Sequence, residues 1–131
     1  MSMGETGFAI RVTRSESLDR SHKAEIAVAI ALGLLGAEAL PTAVLADNVV
    51  WQSGPDVHIG SKAVLSAIKP DDLIAVRIDQ AVSHGKAAAV SGRLETDDGP
   101  RLFCHMIKFT NASAQKVASI VSFEHRTRVS T

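Results

Sequence analysis

Apolar residues recur along this chain at two different spacings, and the change from one to the other divides it. Between residues 21 and 35, Ile26, Ile30, Gly33 and Leu34 fall at helical spacing while Val28, Leu32 and Leu35 fill the opposite side. A helix apolar nearly all round must be covered by more than one surface. Its start is crowded with capping signals: Thr13-x-x-Glu16 has the capping-box spacing, and Ser17, Asp19 and Ser21 are further candidates. Gly36 ends it. Residues 38–46 read as a second short helix, with Pro41 tolerated in its first turn. A strand over 48–53 follows, with Val49 and Trp51 on one face and Val50 on the other. Residues 54–60 read as a turn and loop opened by Gly54-Pro55, and 61–68 as a third short helix opened by Ser61 and ended by Lys69-Pro70.

From there the period is two. Ile74, Val76, Ile78 and Val82 share one face of a strand, and Arg77 and Asp79 the other. After His84-Gly85-Lys86, Ala88, Val90 and Leu94 take one face, and Ser91, Arg93 and Glu95 the opposite one. Equal parity across this hairpin requires a three-residue loop with Gly85 in the left-handed conformation. Thr96-Asp97-Asp98-Gly99 is a second hairpin turn. The strand over 101–110 places Phe103, His105, Ile107 and Phe109 on one face and Leu102, Cys104, Met106 and Lys108 on the other. In the last strand Val117, Ser119, Val121 and Phe123 alternate.

Helices first and a meander of long strands afterwards is an α+β pattern. No repeat or low-complexity linker interrupts it, so residues 1–131 are expected to form one domain. Residues 1–16 are expected to be disordered or to form a peripheral strand, since Phe8, Ile10 and Val12 alternate. With 14 basic and 14 acidic residues the formal charge is zero, which removes any electrostatic case for nucleic acid or an anionic membrane. The single cysteine, Cys104, forms no internal disulfide and fits a reducing, cytoplasmic setting. The apolar run over 24–37 imitates a secretory leader, but Glu25 interrupts it and it is too short to span a bilayer; a buried helix is the better reading.

Three stretches carry a family resemblance: Leu45-Ala46-Asp47-Asn48-Val49-Val50-Trp51, the Ile59-Gly60-Ser61 entry to a short helix, and a last hairpin running from Ile107-Lys108-Phe109 to Ser122-Phe123-Glu124-His125. Over roughly residues 20–126 the chain resembles the nuclear transport factor 2-like (NTF2-like) superfamily, and within it the SnoaL-like group. The resemblance implies a cone-shaped fold, with the N-terminal helices packed in a curved, mainly antiparallel sheet. It also implies a pocket for a small hydrophobic molecule and a homodimer formed through the outer sheet face. Isomerases, cyclases, lyases, epoxide hydrolases and non-catalytic binding modules share that fold, so the resemblance names no activity.

His105 is the chief candidate for chemistry, being the one strongly polar side chain on a face made of Phe103, Ile107 and Phe109. An imidazole in a dry cavity can give or take a proton. Trp51, His58, Phe103, Ile107, Phe109, Val121 and Phe123 are expected to line the pocket, and Glu124 and His125 to close the last strand near its rim. Asp79, two residues from Arg77, has the Arg-x-acid spacing that the resemblance links to epoxide hydrolysis. Its parity instead favours a cross-strand charge ladder with Arg93 and Glu95. The sequence holds no tyrosine, which removes the phenolic donor of a steroid-isomerase oxyanion hole. The five histidines are dispersed, Cys104 has the wrong parity to join His105, and no phosphate loop is present. Neither a metal nor a cofactor is therefore expected. A side-chain-filled interior with no second titratable group near His105 would count against an enzyme.

Overall fold

The computed structural model describes residues 10–68 and 72–126. Strand β1 (Arg11–Arg14) precedes helix α1 (His22–Leu35), then β2 (Leu45–Ser53), β3 (Asp56–Ile59), helix α2 (Ser61–Ala67), β4 (Leu73–His84), β5 (Ala87–Thr96), β6 (Gly99–Phe109) and β7 (Val117–Arg126). The strands form one curved, open sheet in the order β1-β4-β5-β6-β7-β2-β3. The β1–β4 and β2–β7 pairs are parallel and the rest antiparallel. Residues 1–9, where Phe8 was expected to alternate, lie outside the described residues.

Helix α1 begins and ends as its sequence dictates. Ser21 is its N-cap and accepts from the Ala24 N–H. Gly36 adopts φ 81°, and the N–H groups of Gly36 and Ala37 donate to the carbonyls of Gly33 and Leu32, the paired bonds of a Schellman motif. Nine of its residues are buried, and it lies against β4 and β5. Gly33 is required because Leu40 packs on it: a Cβ there would stand 2.6 Å from the Leu40 Cα. Among the described residues no helix is long and apolar enough to cross a membrane.

Several expectations fail, for local reasons. The helix over 38–46 is only a 3-10 turn at Thr42–Val44; Leu45 is instead buried in the β2–β7 ladder opposite Val117, and tertiary pairing outweighs a weak helical preference. The loop over 54–60 contains β3, which pairs back on β2 across the two-residue turn Gly54-Pro55. Its side chains are mostly exposed, and the alternation of Val57 and Ile59 with Asp56 and His58 spans only four residues, too few to announce a strand. The β4–β5 hairpin closes with a two-residue turn, Gly85-Lys86, with His84 opposite Ala87, not with three residues.

A β-bulge resolves the parity conflict that the longer loop was meant to solve. Ile78 faces Gly92 and Gln80 faces Ser91, so Asp79 is an extra residue. Before it Val76 and Ile78 are buried; after it Ala81 is buried and Val82 is 59% exposed. A second irregularity, between Leu73 and Ala75, leaves Ile74 outward as well. Gly92 makes the main bulge possible, because a Cβ there would lie 1.9 Å from the Arg77 carbonyl oxygen. Bulges and glycine kinks are how sheets are bent. On β7 a further shift at Lys108/Phe109 leaves Ala118 extra. The inward residues beyond it are Ile120 and Ser122, not Ser119, Val121 and Phe123.

Candidate functional site

Strand β6 keeps an unbroken alternation, and His105 is held inward by it with 2% exposure between Phe103 and Ile107. The register brings Val90 of β5 to one side of His105 and Ser122 of β7 to the other. Ser122 Oγ lies 2.6 Å from His105 Nδ1. The Trp51 Nε1–H, on β2, donates to the same oxygen at 2.7 Å. The Phe103 ring packs against the imidazole, with centroids 5.4 Å apart. His105 Nε2 is buried and has no partner among the described residues. Burial lowers the His105 pKa from 6.5 to about 4, because desolvation disfavours the imidazolium. The group is therefore neutral at ordinary pH.

His105 borders a cavity of about 340 Å³, at the small end of the range for ligand sites. Leu34, Leu35, Trp51, Leu73 and Leu94 give it an apolar wall, and Ser122 and Thr96 add hydroxyls. Thr96 Oγ1 is occupied, donating to the Gly99 carbonyl at 2.9 Å. Asp72, Arg101 and Glu124 border it where the protein opens to solvent. There Arg101 pairs with Glu124 at 3.2 Å, Asp98 at 3.6 Å and Asp72 at 3.9 Å. The arrangement combines an apolar wall, hydroxyl groups, one neutral imidazole and a charged rim.

The expected site residues separate into groups. His105 and Trp51 border the cavity. Phe103, Ile107 and Phe109 share the inward face but belong to the packed core. His58, on β3, stacks obliquely on Trp51 with centroids 5.4 Å apart. Val121 is half-buried on the face opposite to Ser122, and Phe123, though 55% exposed on that same outward parity, borders the cavity as expected. Both were expected on the inner face, and the Ala118 bulge is what turns them outward. Asp79 sits on the outer face, bridged by Arg77 at 2.8 Å and Arg93 at 3.2 Å. Arg77 and Arg93 stand directly opposite each other, so the carboxylate offsets a like-charge pair.

Arg101, Asp72 and Ser122 were not foreseen as site residues. Arg101 has the same parity as Phe103 and His105, and extending that face by one step would have found it. Ser122 was hidden by the bulge, and Asp72 lies in a connection with no periodicity to read.

Known structures with this arrangement of strands and helices settle the architecture. A protein from Kribbella flavida DSM 17836, provisionally named a ketosteroid isomerase, superposes with a TM-score of 0.67 at 18% identity, covering 83% of this chain and 82% of that one. The fold is that of the NTF2-like proteins. A provisionally named isomerase of the SnoaL-like family from Agrobacterium tumefaciens str. C58 matches with a TM-score of 0.62 at 15% identity, covering 79% and 98%. A provisionally named polyketide cyclase from Sinorhizobium meliloti gives 0.59 at 13% identity, covering 76% and 94%. No protein-family model matches the sequence, and no curated protein does. At these identities the likeness to NTF2-like structures is one of fold, not of activity.

Proposed function

We propose that this NTF2-like chain binds a small, mostly apolar compound carrying a carbonyl group and acts on it as an isomerase, cyclase or lyase. The observation that carries the reading is His105, which borders the cavity and whose buried Nε2 has no partner among the described residues. A buried polar atom without a partner costs about 1–3 kcal/mol, a debt that a ligand oxygen would cancel. The named activities of structures with the same fold are compatible with it. In this reading the sheet wraps α1 as a cone, and the cavity lies at its open end. His105 serves the ligand oxygen, and Asp72 and Glu124 are the carboxylates on the same cavity that would receive a proton from the adjacent carbon. Asp79, on the far face of the sheet, takes no part.

A second reading, a non-catalytic ligand-binding module, is favoured by one observation: the hydrogen-bond partner of His105 is a serine, not a charged group. Thermal-shift screening of apolar carbonyl compounds, repeated on His105→Ala, tests binding. Stabilisation by the same compounds in both proteins removes His105 from the site, and binding without turnover selects the second reading.

A cytoplasmic homodimer completes the proposal. Val82, Ala89, Met106 and Val121 form one continuous row across the outer face of β4, β5, β6 and β7, and Leu102 and Phe123 extend it. A contiguous exposed apolar patch marks an interaction surface. A row repeated identically on a second neutral copy is self-complementary about a two-fold axis. Sedimentation velocity should show a dimer that Met106→Glu converts to monomer; a monomeric wild type refutes it.

A further inference from the structure

Trp51 is the fixed point in the hydrogen bonds behind His105. An indole N–H donates and never accepts, so Ser122 Oγ accepts from Trp51. The serine hydroxyl retains one proton, and His105 Nδ1 stands 2.6 Å away. If Nδ1 carried the ring proton, Ser122 would accept twice. Its own buried hydroxyl hydrogen would then lack an acceptor, and Nε2 would remain a bare acceptor without a donor. If Ser122 donates to Nδ1, every polar hydrogen in the chain is used except that on Nε2. The second arrangement leaves one unsatisfied group where the first leaves two.

We propose that Trp51 and Ser122 are positioning residues that lock His105 in the tautomer protonated at Nε2, so that the cavity presents a neutral N–H donor to an uncharged ligand bearing an acceptor oxygen, of the ketone, aldehyde or ester class. With its Nδ1 lone pair engaged by Ser122, His105 polarises the ligand oxygen and does not abstract a proton. The rim sharpens the choice of ligand. Asp72 and Glu124 against Arg101 leave one net negative charge on the cavity border, which disfavours carboxylate ligands that would otherwise be the stronger acceptors. The ligand class rests on the cavity being a ligand site, as proposed above; the tautomer lock is a property of the free protein and is tested without ligand.

The test is two-bond ¹H–¹⁵N correlation of ¹⁵N-histidine-labelled protein at neutral pH, comparing wild type, Trp51→Phe, Ser122→Ala and Ser122→Thr. The wild type should show a protonated Nε2 and an unprotonated Nδ1. Losing the obligate donor or the hydroxyl removes one hydrogen bond from the balance, so the share of Nδ1-protonated ring should rise about tenfold in Trp51→Phe and Ser122→Ala. Ser122→Thr, which keeps the hydroxyl, should restore the wild-type pattern. A wild type protonated at Nδ1, or the same tautomer ratio in all four proteins, overturns the proposal. If the lock is seen and no carbonyl compound stabilises the protein, the reading of the cavity fails and the lock stands.

Discussion

Replacing His105 with glutamine removes a titrating ring while leaving an amide that can still accept from Ser122. The folded protein holds this imidazole at a pKa of about 4, lowered from 6.5 by burial. Between those values the unfolded chain binds a proton that the folded chain refuses. Stability contributed by the neutral ring is therefore complete above pH 6.5 and is lost as pH falls from 6.5 towards 4. The shift corresponds to a loss on the order of 3 kcal/mol once pH reaches 4, with a slope approaching about 1.4 kcal/mol per pH unit inside the window. The assay is urea unfolding at closely spaced pH values between about 7.5 and 4.5, analysed as the difference between wild type and His105→Gln. Every other ionisable group is common to the two proteins, so the difference isolates the ring. Above pH 7 the difference should be constant; below 6.5 the wild type should lose its advantage, by about 2–3 kcal/mol at the acid end. A flat difference curve across the window would show that the ring is not kept neutral by burial, and the account of the site built on a neutral donor would go with it.

Three further substitutions probe the frame that holds the site. Gly92→Ala places a Cβ 1.9 Å from the Arg77 carbonyl oxygen and forces the bulged backbone apart; a loss of about 1–3 kcal/mol is expected from urea midpoints, and unchanged stability would show that the bulge is soft. Gly33→Ala gains about 1 kcal/mol of helix propensity but meets Leu40 Cα at 2.6 Å; the clash should win, so a stabilised variant would contradict the packing. Asp79→Asn leaves Arg77 and Arg93 facing each other on a partly exposed surface and should cost about 0.5–1 kcal/mol, a loss that shrinks in high salt. A salt-independent loss would point to packing at the bulge instead of charge.

The parts of the fold legible in advance are those whose cause is local. Ser21 and Gly36 bound α1 because a hydroxyl and a residue free to adopt positive φ are needed at those places. The unbroken alternation of β6 put His105 on the inward face. What was illegible came from pairing between distant strands. Leu45 leaves a weak helical segment because Val117 is beside it, and β3 exists because β2 offers an edge. The extra residues Asp79 and Ala118 reverse the parity of everything beyond them, and alternation counted along a single strand cannot register an insertion that only its partner defines.

One constraint on that register was nevertheless present, in the polar groups and not in the apolar ones. A buried imidazole needs a partner for at least one ring nitrogen, since each buried polar group left unpaired costs about 1–3 kcal/mol. Continuing the alternation of Val117 without a bulge would turn Val121 and Phe123 inward on β7, and neither offers a hydrogen bond. Turning Ser122 inward instead satisfies Nδ1 and also gives the donor-only Trp51 an acceptor. Two buried polar side chains from β2 and β6 thus demand a hydroxyl from the strand between them, and Ser122 stands at the matching height. The bulge at Ala118 meets that demand, and the same step that moves Val121 and Phe123 to the outer face leaves the second ring nitrogen of His105 buried without a partner among the described residues.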